Sequence, residues 1–106
     1  MSMNRPSTQE AYIELVNQAM IDVEELRSSI EYDEEFMGGA IDIAEKLENN
    51  LKSLYASLIG GSYQFADQDL DFMEVVDTAP EIWLPFKPLL RLINKTHREG
   101  LEVEDN

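Results

Sequence analysis

Cysteine is absent from this 106-residue chain, histidine and tryptophan each occur once, and basic residues are scarce, at 8 against 22 acids. Without cysteine there is no disulfide framework, no thiolate zinc site and no cysteine nucleophile. The lack also fits a reducing compartment. No apolar run approaches the roughly 20 residues of a membrane span. Residues 1–7 are polar, with no apolar segment behind them of the kind a secretory leader carries. The expected location is therefore cytoplasmic, without a membrane partner.

A single histidine removes most metal and hydrolase chemistry. A carboxylate di-iron bundle needs two Glu-x-x-His pairs, and the residue three before His97 is Asn94. Histidine-pair zinc motifs fail on the same count. A hydrolytic triad has only His97 to use as its base, and no G-x-S-x-G turn accompanies it. Gly60-Gly61-Ser62 follows a helical pattern rather than preceding one and lacks the G-K-[ST] ending of a phosphate loop. The spaced acids Asp67, Asp69 and Asp71 resemble the start of a calcium loop. The sixth and twelfth positions are Phe72 and Thr78, where glycine and a bidentate glutamate are required. These acids read instead as a helix opening with extra negative charge on its dipole. No enzyme activity, cofactor or metal is expected.

Scarcity of bases gives a net charge of −14. Such a surface repels nucleic acid, whose binding rests on Lys and Arg at phosphates. Direct nucleic-acid binding is therefore not expected, whereas a basic partner, or mimicry of nucleic acid, is electrostatically sensible. Charge of this size also serves solubility alone.

The chain is rich in helical periodicity. Residues 7–10 read S-T-Q-E, a capping box in which Ser7 accepts from the Glu10 amide. Tyr12, Val16, Ala19, Val23, Leu26 and Ile30 then step by four and three, predicting a helix to about Tyr32. Ile13, Met20 and Ile21 widen its apolar surface, which suggests more than one neighbour. Asp33, Glu34 and Glu35 favour a second helix start. Met37, Ala40, Ala44, Leu47, Leu51, Leu54 and Leu58 repeat the spacing until Gly60-Gly61, where a positive φ can cap the helix. Gly38-Gly39 reads as a bent or late start.

The second half is less regular. Tyr63 and Phe65 read as aromatics pinning a loop. A short helix holds Leu70, Met73 and Val76 inward and ends near Thr78. Pro80, Pro85 and Pro88 punctuate the next stretch, and a final helix runs from about Phe86 to Glu99, closed by Gly100. The expected fold is all-α: a three- to four-helix bundle built on a long antiparallel helical hairpin. It forms a single domain over residues 1–106, with 1–6 and 101–106 frayed.

Two features point to a surface. Residues 79–88, A-P-E-I-W-L-P-F-K-P, set Ile82, Trp83, Leu84 and Phe86 in a proline-stiffened stretch that loses little entropy on binding. Tryptophan is enriched at interface hot spots; the competing reading has Trp83 closing the end of the core. Lys87, Arg91, Lys95 and Arg98 share one side of the last helix. Residues 1–79 hold 17 acids and 4 bases, while residues 80–99 hold 2 acids and 4 bases. The bases suit an anion or an acidic partner, or weak pairs with the acidic helices. His97 lies near Leu90 and Ile93 on the apolar side, where a buried histidine near a helix end is the ordinary reading.

The expected function is thus a non-catalytic, intracellular protein–protein interaction or regulatory module. Its candidate surface is Ile82, Trp83, Leu84, Phe86, Lys87, Arg91, Lys95 and Arg98. A homodimer is a further possibility, since two hairpins can form a four-helix bundle. Alternatives are an acidic nucleic-acid mimic that inhibits a basic protein, and a histidine phosphotransfer or small-anion-binding protein using His97.

Overall fold

The structure, a computed structural model, describes residues 5–32 and 40–102. Among them are four helices and no strand: α1 (Gln9–Tyr32), α2 (Ile41–Gly60), α3 (Met73–Thr78) and α4 (Lys87–Glu99). The all-α expectation holds. The acids at 33–35, Met37 and the Gly38-Gly39 bend lie outside the described residues.

The two stripes form the seam between α1 and α2. All six of Tyr12, Val16, Ala19, Val23, Leu26 and Ile30 are buried, as are Ala40, Ala44, Leu47, Leu51, Leu54 and Leu58. The helices run in opposite directions. Arg27, late in α1, meets Glu48, early in α2, at 2.7 Å, while Tyr12, early in α1, meets Tyr63 just beyond α2. Each buried leucine contributes about 1.5–3 kcal/mol. An exposed ion pair gives at most about 1 kcal/mol. Apolar burial therefore holds the pair, and Arg27–Glu48 at most selects its register. The hydrogen bond from Arg27, then that from Lys52, holds the Glu48 carboxyl below its usual range.

Ile13 and Met20 are half-buried against the core, leaving Ile21 as the exposed member of the wider apolar surface. Besides α2, α1 touches α4, whereas Met20 and Ile21 line a cleft shared with Glu48 and Lys52 of α2. Gly61 supplies the left-handed residue after α2, at φ 77°. The amides of Gly61, Ser62 and Tyr63 converge on the Ser57 carbonyl. As expected, aromatics then pin the following loop: Tyr63 lies 5.8 Å from Tyr12 and edge-on to Phe65 at 5.0 Å.

Two local expectations need correction. The α1 cap is Thr8, whose Oγ1 accepts from the Ala11 amide at 3.1 Å. The helix begins at Gln9, so the residue three beyond the cap is Ala11 rather than Glu10, and no capping box closes. The acids before α3 do not cap it either. Phe72 stands at its N-cap without a side-chain bond, while Asp67 and Asp69 turn to α4. Asp69 accepts from Asn94 Nδ2 at 2.9 Å, and both acids take Arg98. Of the two ends, residues 5–6 and 101–102 are among those described. Pro6 is buried, Arg5 donates to the Gly100 carbonyl at 2.9 Å, and the Glu102 amide donates to the Pro6 carbonyl at 2.9 Å.

Thr8→Ala is expected to destabilise the protein by about 1 kcal/mol, the usual cost of a lost N-cap. Ser7→Ala should fall within about 0.5 kcal/mol of wild type, as exposed substitutions generally do. Urea unfolding followed by circular dichroism compares the two, and a larger loss for Ser7→Ala would restore the capping box.

Candidate functional site

The 80–86 segment leaves α3 where Ala79 turns extended before Pro80, as residues before proline do. Three successive turns then fold it: the Trp83 amide bonds the Pro80 carbonyl, Leu84 bonds Glu81, and Lys87 bonds Leu84, at 3.0–3.2 Å. The coil decides what each side chain can do. Leu84 points into the core and Ile82 stands out, 69% exposed. Trp83 and Phe86 are half-buried against the core. One part of Trp83 packs on the core, as the core reading expects, while the rest stays accessible.

Lys87 is the main departure from the expected surface. It is only 6% exposed, and its Nζ donates to the Ala79 carbonyl oxygen. That contact closes the base of the 80–86 segment, with a cation at the carbonyl end of α3. Lys87 leaves the surface because Leu90, Asn94 and His97, stepping by three and four from it, form the buried side of α4. Leu84 and Lys87 therefore shape the surface from beneath and do not belong to it.

Of the other bases, Arg98 is held by Asp67 and Asp69 at 3.2 Å each, the weak pairing with acids that was one of the two expectations for the stripe. Arg91 and Lys95 are exposed, with no ion pair among the described residues. The expected four-base stripe reduces to these two.

Ile82, Trp83, Pro85 and Phe86 face α1 across a groove of about 470 Å3, whose α1 wall is Asp22, Glu25, Leu26 and Ser29. Its apolar surface is thus edged by two carboxylates. Among the described residues, no group of three or more His, Asp or Glu side chains is placed to hold a metal ion. No described helix is long and apolar enough to cross a membrane.

His97 sits in a chain of three side chains that sequence reasoning did not find. The Tyr12 hydroxyl donates to the Ile93 carbonyl at 3.0 Å and lies 3.4 Å from the Tyr63 hydroxyl, which meets His97 Nδ1 at 2.5 Å. Burial, followed by the hydrogen bond with Tyr63, pushes the Tyr12 phenol far above its usual range. Burial also raises Tyr63 and lowers His97. Both phenols therefore stay protonated and the imidazole neutral. Two arrangements satisfy the chain: Tyr63 donates to Nδ1 with the ring proton on Nε2, or Nδ1–H donates to the Tyr63 oxygen while Tyr63 donates to Tyr12. His97 is 7% exposed. These contacts span 34 to 81 residues of sequence, so no local pattern announces them. Burial of His97 itself was legible from its place beside Leu90 and Ile93.

Comparison with protein-family profiles, curated proteins and solved structures returned no match.

Two outcomes are expected from this geometry. Lys87→Met leaves the Ala79 carbonyl unpaired and should cost about 1–3 kcal/mol, with a red shift of Trp83 emission as the segment loosens. Unchanged emission would detach Lys87 from the segment. The lowered pKa of His97 means that the unfolded chain binds the extra proton first as pH falls. Stability is then full above the unfolded value, about 6.5, and declines as pH drops through it towards the folded pKa. Melting at about pH 8 and about pH 5 should show a larger loss for wild type than for His97→Gln, with the carboxylate contribution common to both. Equal losses would contradict the burial account.

Proposed function

We propose that the chain is a non-catalytic protein–protein interaction or regulatory module in which α1 and α2 form a hairpin scaffold. On this reading, the groove between α1 and the 80–86 segment takes a basic amphipathic helix or peptide. The observation that carries it is Ile82, 69% exposed beside Trp83 in a groove edged by Asp22 and Glu25. The groove offers apolar anchors in a stretch already ordered by its own turns and by Lys87, so binding orders little new backbone. Its carboxylates, in a chain of net charge −14, favour Lys and Arg on the partner's flanks and speed encounter.

The alternatives have less support. A phosphotransfer histidine presents a ring nitrogen to a donor protein, whereas His97 is nearly covered and its Nδ1 is taken by Tyr63. Mimicry of nucleic acid draws on outward rows of carboxylates, while Asp67, Asp69 and Glu48 are bound to cations of the same chain. Small-anion binding would fall to Arg91 and Lys95, a weak pair against the surrounding field.

Trp83 is the only tryptophan, so its fluorescence reports on the groove. A synthetic peptide of leucine and lysine at three–four helical spacing should give a saturable blue shift that weakens as salt rises. Ile82→Ser should lower its affinity about tenfold, the equivalent of 1.4 kcal/mol. Ile59→Ser, which alters an isoleucine 60% exposed outside the groove, should leave affinity unchanged. Equal affinity for wild type and Ile82→Ser would refute the assignment of the groove.

A further inference from the structure

A second cleft, of about 350 Å3, opens where α2, residues 62–72 and the last turns of α4 meet. That volume lies at the lower end of clefts that hold small molecules, roughly 300–1,000 Å3. Leu54, Leu70 and Phe72 give it apolar walls. Several of its polar groups are already engaged. The Ser57 hydroxyl donates to the Leu54 carbonyl at 2.8 Å, and Tyr63 and His97 bond each other.

Two groups are not. Asn50 lines the cleft, and its Nδ2 is the one buried side-chain polar atom among the described residues with no hydrogen-bond partner. A buried donor left unpaired is destabilising and uncommon in folded proteins, so it calls for a physical reason. Asp71 lines the same cleft, is exposed and has no ion pair among the described residues. The arrangement is thus an inner donor, apolar walls and an outer acceptor.

We propose that this cleft binds a small neutral carboxamide carrying an apolar body. The ligand carbonyl accepts from Asn50 Nδ2, its N–H donates to the Asp71 carboxylate, and its apolar part rests on Leu54, Leu70 and Phe72. Nδ2 is closed off from solvent. The terminal torsion of an asparagine is broad and roughly two-fold, so a turn about it delivers the donor to the ligand. Carboxylate analogues are disfavoured, because Asp71 and the net charge of −14 repel them. The site is separate from the Trp83 groove and stands or falls independently of it.

The test is titration of benzamide into 15N-labelled protein, followed by two-dimensional NMR. Saturable shifts are expected at the Asn50 side-chain amide and at the backbone amides of Leu54, Leu70 and Phe72. Benzoate, of the same shape but charged, should bind about tenfold more weakly. Asn50→Leu should weaken benzamide about tenfold while raising Tm by about 4 °C, because an unpaired donor is removed from the interior. Asp71→Asn alters an exposed side chain and keeps the fold; it should narrow the gap between benzamide and benzoate to within about threefold. The proposal is overturned by an absence of saturable shifts, by undiminished benzamide binding in Asn50→Leu, or by benzoate binding as tightly as benzamide to the wild type. A lower Tm for Asn50→Leu would overturn it as well, since Nδ2 would then have a partner.

Discussion

Two stripes of side chains repeating at three and four residues hold α1 against α2, and the remaining elements take their places from that seam. Antiparallel packing puts Tyr12 of α1 beside Tyr63 just past α2, so the end of α2 and the start of α1 form one corner. The last turns of α4 fill it, with His97 against Tyr63 and the Ile93 carbonyl receiving the Tyr12 hydroxyl. At the other side of the seam, Leu26 of α1 forms a wall of the Trp83 groove. Removing the seam would leave neither the corner nor the groove.

The second half of the chain is held by a different kind of bond. α4 buries not only Leu89, Leu90 and Ile93 but also Lys87, Asn94, Thr96 and His97. Buried polar groups are tolerable only when bonded, and each of these is: Lys87 to Ala79, Thr96 to Leu92, His97 to Tyr63, and Asn94 to both Leu70 and Asp69. Three of the four fix irregular segments on either side of α3. Directional bonds therefore position the parts of the chain that have no long apolar stripe of their own.

That division explains what the sequence reveals. The core positions of α1 and α2 from Tyr12 to Ile30 and from Ala40 to Leu58 were legible, because an amphipathic helix repeats its message every turn and one misread residue does not alter it. The glycine cap at Gly61 was legible because few residues other than glycine take a positive φ. The cap of α1 was misplaced by one residue because Ser7 and Thr8 are adjacent and chemically alike. Lys87 was misassigned because it lies on the border of its helix, one step from Arg91 and one from Leu90, and only the position of the Ala79 carbonyl decides between them. The break between α3 and α4 was legible in its prolines, Pro80, Pro85 and Pro88. The inward turn of Leu84 was not, since three tight turns rather than a helix or strand set its direction.

The charge of the chain bears on which partner suits the groove. An exposed isoleucine beside an accessible tryptophan invites association with any apolar surface, including a second copy of the same chain. Two copies each carrying −14 repel one another, and within the groove Asp22 and Glu25 would face like charge on most of the other copy's surface. The same field attracts a partner whose apolar face is flanked by bases. If the groove binds as proposed, net negative charge would act as a filter, opposing self-association through Ile82 and Trp83 while leaving those side chains accessible to a basic ligand. On the proposed reading, solubility and recognition, which compete as explanations of the charge when the sequence is considered alone, become one physical effect, because acids border the exposed apolar residues.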